Sequence, residues 1–416
     1  MVALSNNYLA DSKSKSLLFY TGIPVLFIFM LCCGTRTDVD KPEYHVFEKP
    51  QIVDKSVDLS VYIEDIKYIP LSDEPSTFLH YANTIFAYDE LIIVRDGKTK
   101  SNTIYFFDTL GKLQWKDNHL LADYPVKEYV TFDFTDFTLD ADRNTLYMSD
   151  ASRRHIVSYN IKTREKKRFL DSIYAVNLHY HSNKLLIYTN DKIGGLLKMY
   201  EIPTGELLGE YILDSKPNVG IGATINNPMA DQGDSVWVGL FFSDTVYIAK
   251  GNTVKPAVVL GNDPNTSVRY SGVSEIEEVY WQNKKDKYPY MAIPWGEVAV
   301  IHNIIAMAMF NFKYYIIKPG QKRSYLVSFE YISKNNKIFS EIFLRSIREF
   351  EGYFYSYIKL TETFYETTQH LLQSPDHVAL HEPLSKLIQD YPPERKFQNP
   401  VITRFKISDD FMEAFR

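Results

Sequence analysis

Lys184–Leu213 reads KLLIYTNDKIGGLLKMYEIPTGELLGEYIL, and its reading decides the fold. Leu185, Leu186, Ile187 and Tyr188 form a short apolar run between Asn183 and Asn190-Asp191. The run is too short for a helix and rich in strand formers. Gly194-Gly195 predicts a tight reversal, because glycine accepts positive φ without steric penalty. Beyond it, Leu197, Met199 and Glu201 alternate with Lys198, Tyr200 and Ile202, the period of a strand. Pro203-Thr204-Gly205 is a second turn, and Leu207–Leu213 a third strand. Three antiparallel strands in this span make most of one propeller blade, whose repeat is about 40–50 residues.

Variants of the unit recur on both sides. Leu91–Val94, Thr103–Phe107 and Leu113–Trp115 are strands around a polar turn and the turn Asp108–Lys112. Thr145–Ser149 and His155–Asn160 form a second unit, and Val236–Phe242 with Thr245–Ala249 a fourth. Phe107, Tyr159, Tyr200 and Tyr247 each precede an outer turn and are separated by 52, 41 and 47 residues. Asn336–Leu344 parallels Gly205–Leu213, but Tyr331 lies 84 residues after Tyr247. Either a whole blade intervenes or one blade carries a long insertion. The expected fold is all-β, a six-bladed β-propeller of four-stranded antiparallel blades, with seven blades the alternative. Val57–Tyr68 (VDLSVYIEDIKY) is expected to close the ring by pairing with Val401–Ile407. The proline-rich span Pro375–Pro400 reads as an irregular insertion with a short helix at Leu384–Gln389; a second insertion falls near residues 262–300.

The N-terminus reads as an address. Lys13 and Lys15 precede the 15 apolar residues Leu17–Leu31, followed at once by Cys32-Cys33. A membrane span needs about 20 residues, and Pro24 weakens a helix further. A basic segment and a short apolar core are the parts of a signal peptide. Its end on cysteine resembles the bacterial lipoprotein signal, which implies lipid attachment at Cys33 (alternative Cys32). Residues 1–33 are thus signal and lipobox, 34–50 a flexible tether, and 51–416 the propeller. The body beyond Cys33 has no cysteine, which excludes disulfides, thiol nucleophiles and Cys-ligated zinc there.

Charge narrows the partners. The chain carries 46 Lys+Arg against 52 Asp+Glu, so no basic field favours nucleic acid. Lys166–Arg168 reads as a solvated turn. Asp140, Asp142 and Asn144 have the spacing of a calcium loop, but Thr145 and Ala151 stand where that loop needs Gly and Glu; a solvated turn is expected. His179 and His181 flank Tyr180, share one face of a strand and could begin a metal site, although spacing places no third ligand. Asp133 and Asp136 have no partner that spacing can fix. Gly220-Ile221-Gly222 is a turn rather than a phosphate loop, and no nucleophile, zincin or dinucleotide motif occurs. No catalytic residue, metal or cofactor is assigned. Trp281–Glu297 (WQNKKDKYPYMAIPWGE) is the most distinctive polar–aromatic region. Trp281, Tyr288, Tyr290 and Trp295 are the candidate binding residues, since aromatic faces stack on sugars or peptides.

Leu139–Thr163, with Asp140, Asp142, Asn144 and then Leu146-Tyr147-Met148-Ser149-Asp150, resembles blades of the NHL and TolB-like six-bladed propellers. Together with the lipoprotein signal, the chain resembles Bacteroidetes-type propeller lipoproteins of unknown function over about residues 55–410. The resemblance is specific for fold and carries over no catalytic residue. A rigid scaffold with loops at both ends and no assembled nucleophile or metal set leads to the expectation of a membrane-anchored, non-catalytic scaffold in the cell envelope, at the outer membrane, binding a protein, peptide or glycan. Two alternatives stand beside it: a metal-dependent lactonase or hydrolase of similar architecture, and a structural subunit of an envelope complex.

Overall fold

The computed structural model describes residues 45–46, 51–53, 62–118, 121, 134–213, 229–259, 290–303, 313–317, 324–328, 348–408 and 410. Internal positions 75–76, 80–81, 97–102, 151–152, 192–193, 240–244, 296–297, 351, 374 and 376–377 fall outside that description. The described strands form six sheets.

Blade one is Ala82–Tyr88, Leu91–Asp96, Thr103–Asp108 and Leu113–Asn118. Blade two is Phe134–Asp140, Thr145–Asp150, His155–Asn160 and Lys166–Leu170. Blade three is Asn177–His181, Lys184–Asp191, Gly194–Glu201 and Leu207–Ile212. Blade four is Met229–Gln232, Ser235–Gly239, Thr245–Lys250 and Thr253–Val259. Blade five is Tyr290–Trp295, Val298–Asn303, Lys313–Ile317 and Ser324–Ser328. Blade six takes Arg348–Phe350, Tyr353–Ile358 and Val401–Ile407 from the C-terminal part and Ile63–Pro70 from the N-terminal part.

The order of contacts is that of a ring. From blade one to blade four, each first strand lies beside the first strand of the next blade, and blade six contacts the first strand of blade one. Hydrophobic clusters fill the seams between blades. Ile93, Phe106, Phe137 and Val157 pack between blades one and two, and Tyr147, Leu178 and Ile187 between blades two and three. Leu186, Met199, Val236 and Val238 pack between blades three and four. A middle strand therefore buries both faces, which is why Leu91–Val94 and Leu185–Tyr188 are unbroken apolar runs rather than alternating ones.

The closing strand pairs antiparallel with Val401–Ile407, with Ile69 opposite Ile402 and Ile63 opposite Ile407. Upstream, His45–Val46 lies parallel to Val258–Val259 on the outer edge of blade four, and Gln51–Val53 parallel to Tyr325–Val327 on blade five. The first pair falls inside the stretch read as a tether. The N-terminal arm thus covers two outer edges before supplying the edge of the third, which shields backbone groups that would otherwise offer strand pairing.

Three local expectations change. Gly194 and Gly195 are in a strand, opposite Asp191 and Asn190, and are not the reversal expected there. Lys166–Arg168 is the outer strand of blade two, not a turn. Its charges are held by ion pairs, Lys166 to Asp117 at 2.5 Å and Lys167 to Glu165 at 3.0 Å, and a charged edge resists further pairing. Tyr290–Trp295 and Val298–Asn303 are strands of a whole intervening blade, so they are not insertion. The third and fourth strands of that blade end before the Asn336–Leu344 repeat, which lies outside the described residues.

The C-terminal insertion is helical and begins earlier than its prolines indicate. α1 spans Glu362–Leu372 and α2 Val378–Asp390. Thr361 Oγ1 caps α1 by accepting from Phe364 N at 3.2 Å, and Phe364, Thr368 and Leu371 line its buried face. In α2, Leu380, Leu384 and Leu387 are buried at spacings of four and three. Pro383 sits inside α2. It removes one intrahelical bond, so packing on α1 and the closing strand overrides local preference. Among the described residues, no helix is long and apolar enough to cross a membrane.

Candidate functional site

The polar side chains of the first strands gather at the seams. Asp136 begins the set on blade two. Its Oδ2 accepts from Leu178 N of blade three at 3.0 Å and lies 3.5 Å from Asn177 Nδ2, while Oδ1 accepts from Phe137 N at 2.9 Å. Thr138 Oγ1 accepts from Tyr180 N at 2.9 Å. Both are buried, so each satisfies a backbone donor that the sheet leaves unpaired. Asp136→Asn is expected to cost about 2 kcal/mol, because charge-assisted bonds to Leu178 and Phe137 become neutral ones. Thermal unfolding of the full chain checks this, with Asp142→Asn, at an exposed turn position, as the silent control.

Asp140 ends the same strand. It is fully buried, and its Oδ2 accepts from Arg143 Nη1 at 3.0 Å, while Arg143 Nη1 lies 3.5 Å from the Tyr180 hydroxyl. Asn144 takes the left-handed conformation at φ +52° and accepts from the Tyr88 hydroxyl of blade one. The Asp140–Asn144 turn is therefore a junction and not the solvated turn expected from sequence.

His179 and His181 come together with a third residue that spacing did not supply. Residues two apart on a strand share a face, and here that face meets the first strand of blade four. His179 Nε2 lies 2.9 Å and His181 Nδ1 2.6 Å from the same oxygen, Asp231 Oδ1. His179 Nδ1 and His181 Nε2 are buried and have no hydrogen-bond partner among the described residues. Burial alone would raise the Asp231 carboxyl, but the two imidazoles outweigh it and hold the group well below the usual carboxylate range. The hydrogen bond to Asp231 raises His181 against the opposing effect of burial; Lys184 pulls it slightly back. Asp231 itself stays 55% exposed, so solvent screens part of the attraction.

These distances separate a proton from a metal ion. Two ligands about 2.0–2.1 Å from one tetrahedral zinc stand about 3.3 Å apart. The observed 2.6 and 2.9 Å are those of charge-assisted hydrogen bonds. Among the described residues, no cluster of three His, Cys, Asp or Glu is arranged to hold a metal ion.

The remaining candidates divide by position. Cys32, Cys33, Trp281, Tyr288 and Asp133, together with Gly220–Gly222, lie outside the described residues. Tyr290 and Trp295 mark the two ends of the first strand of blade five, opposite Asn303 and Val298. A cleft of about 380 Å³ lies between α2, the closing strand and the outer turn of blade one, lined by Tyr68, Leu110, Pro383, Lys386, Leu387 and Tyr391. No motif predicted it, because its walls come from three distant stretches of chain.

A family model described as 6-bladed beta-propeller, DUF5128, matches residues 37–337. The chain belongs to this family. The match takes in blades one to five and the closing strand, in agreement with the six observed sheets. Among solved structures, this DUF5128 chain is similar to an exported protein of Bacteroides fragilis, with TM-score 0.59 and 13% identity over 88% of this chain and 100% of that one. Hydrazine synthase of Kuenenia stuttgartiensis matches at TM-score 0.44 and 10% identity, over 79% of this chain and 87% of that one. At such identities the likeness shows the fold alone. No curated protein matches the chain.

Proposed function

We propose that the protein is a lipid-anchored envelope scaffold that binds a partner or ligand through its propeller and carries out no catalysis. One observation supports this most directly. Each ionisable side chain on the described first strands of blades two, three and four is committed to a seam. Asp136 ties to Leu178, Asp140 to Arg143 beside Tyr180, and the two histidines to Asp231. Catalytic carboxylates and imidazoles are presented toward a substrate; these are turned toward the next blade and hold the ring. The anchor rests on Lys13, Lys15, the apolar Leu17–Leu31 and Cys32-Cys33. Acyl chains add about 0.8 kcal/mol per buried methylene, so several make attachment effectively permanent.

Metabolic labelling with an alkyne fatty acid tests the anchor. Label is expected in the full chain and in Cys32→Ser, and is expected to vanish in Cys33→Ser, with the protein leaving the membrane fraction. An unlabelled full chain that stays with the membrane overturns lipidation. For the binding half, glycan and peptide arrays probed with the full chain should give signals that Trp295→Ala or Tyr290→Ala weakens. Signals indifferent to both variants move the site away from blade five.

A further inference from the structure

The described seams are tied by different chemistry. Blades one and two join through Trp115 Nε1 donating to the Tyr159 hydroxyl at 3.1 Å and through Lys166 on Asp117. Blades two and three join through backbone N–H groups on Asp136 and Thr138. Side chains of these types ordinarily titrate outside pH 5 to 8. The first strands of blades three and four are instead tied by two imidazoles on one carboxylate oxygen. Histidine is the side chain whose ordinary titration falls in that range.

We propose that the seam between blades three and four is a proton-operated latch, with His179, His181 and Asp231 holding the two first strands together in acid and releasing part of that hold as pH rises. This goes beyond the scaffold reading and does not depend on it. A neutral pair can still donate from Nε2 of His179 and Nδ1 of His181, but each ring is then fixed in one tautomer and donates without charge. Charge-assisted bonds are roughly twice as strong. Protonation adds an N–H at His179 Nδ1 and at His181 Nε2, where no described group accepts it. At His181 the proton is therefore held chiefly by Asp231, with a smaller contribution from the Asp234 backbone, against burial and Lys184.

The surrounding charges keep that balance specific. On the same hairpin Lys184 faces His181 and opposes its protonation. Lys184 Nζ itself donates to the carbonyl of Gly251 in blade four at 2.5 Å. From blade four, the Asp234 backbone favours the protonated ring, while the Asp234 carboxylate is engaged by Lys250 at 2.6 Å. Asp231 is thus the acid whose removal disarms the latch.

The direction of the pH effect follows. His181 is raised above its unfolded value of 6.5, so its contribution is complete below 6.5 and lost as pH climbs through the folded value. Asp231 is lowered from 3.8, so its contribution is present above 3.8 and lost as pH falls through the folded value. The seam is tightest between these two unfolded values.

Hydrogen exchange of the full chain at pH 5.5 and 8.0, corrected for intrinsic rates, reads the latch directly. Protection of 177–181 and 229–232 is expected to fall about tenfold at pH 8.0, the equivalent of one pKa unit, while 134–140 is unchanged. Asp231→Asn should abolish that difference. Should Asp231→Asn fail to fold, the double variant His179→Gln, His181→Gln, which keeps amide donors without titration, should do the same. Imidazole NMR gives an independent readout: His181 titrates above 6.5 in the native chain and falls in Asp231→Asn, which removes the main group that raises it. Equal protection of 177–181 at both pH values, a pH difference that persists in the variants, or a His181 midpoint at or below 6.5 would each overturn the latch.

Discussion

A chain lacking residues 51–70 is expected to fail to fold to a soluble, cooperatively melting ring. The deletion removes the outer strand of blade six, which pairs with Val401–Ile407 along its length. It also removes Ile63, Ile66 and Ile69, which are 2%, 9% and 4% exposed. Burying each contributes about 1.5–3 kcal/mol, so together they approach the 5–15 kcal/mol by which a whole domain is stable. Two further consequences add to this. Val401, Ile402 and Phe405, now fully buried, would become an open β edge that invites aggregation. α2 would lose the strand on which it packs. Soluble yield and a circular-dichroism melt decide the matter; a truncated chain melting at the native temperature would mean that the ring is closed elsewhere.

Gly111→Ala is expected to be the most damaging single exchange in the outer turn of blade one, at about 3–5 kcal/mol. Gly111 has φ +83°, a region in which an L side chain is strained. A Cβ there would lie 2.0 Å from the Pro70 carbonyl oxygen and 2.9 Å from its carbon. Those atoms are backbone of the closing strand and cannot swing aside. The Gly111 carbonyl also accepts from Ser72 N at 2.7 Å, so moving the turn breaks a bond across the seam between blades six and one. Chemical unfolding should show a lowered midpoint with an unchanged slope. Gly251→Ala, also at positive φ but with nothing within 4 Å of the added carbon, separates conformational strain from collision. Equal losses in the two variants would show that close approach to Pro70 is unimportant.

Much of the ring was legible because its repeating element is local. The hairpins at Asp108–Lys112, Asn160–Glu165 and Glu201–Glu206 close with their own backbone bonds, and side chains such as Asp108 and Asn160 cap them. Turn chemistry of that kind is written in neighbouring residues. Phe107, Tyr159 and Tyr200 occupy one physical position, next to last in each third strand, whereas in blade four that position is Ala249 and Tyr247 lies two residues earlier. The helices were harder to see. Pro383 disguises α2, and α1 announces itself only through Thr361 and the spacing of Phe364, Thr368 and Leu371. Two of the three residues of the candidate site were visible, His179 and His181. Asp231 lies 50 residues beyond His181 on an adjoining strand, and no spacing rule reaches that far.

By itself the sequence determined that strands are short, that they come in hairpins, and that no sulfur bridge holds the body. Those are properties of residues and their near neighbours. The tertiary structure alone decided which blade meets which, that Ile63–Pro70 completes blade six, that the N-terminal arm lies along blades four and five, and that Asp140 and Asp231 serve seams. The physical reason is loop closure: contacts between residues far apart in the chain are selected by the geometry of the whole ring, and local preference carries no information about them.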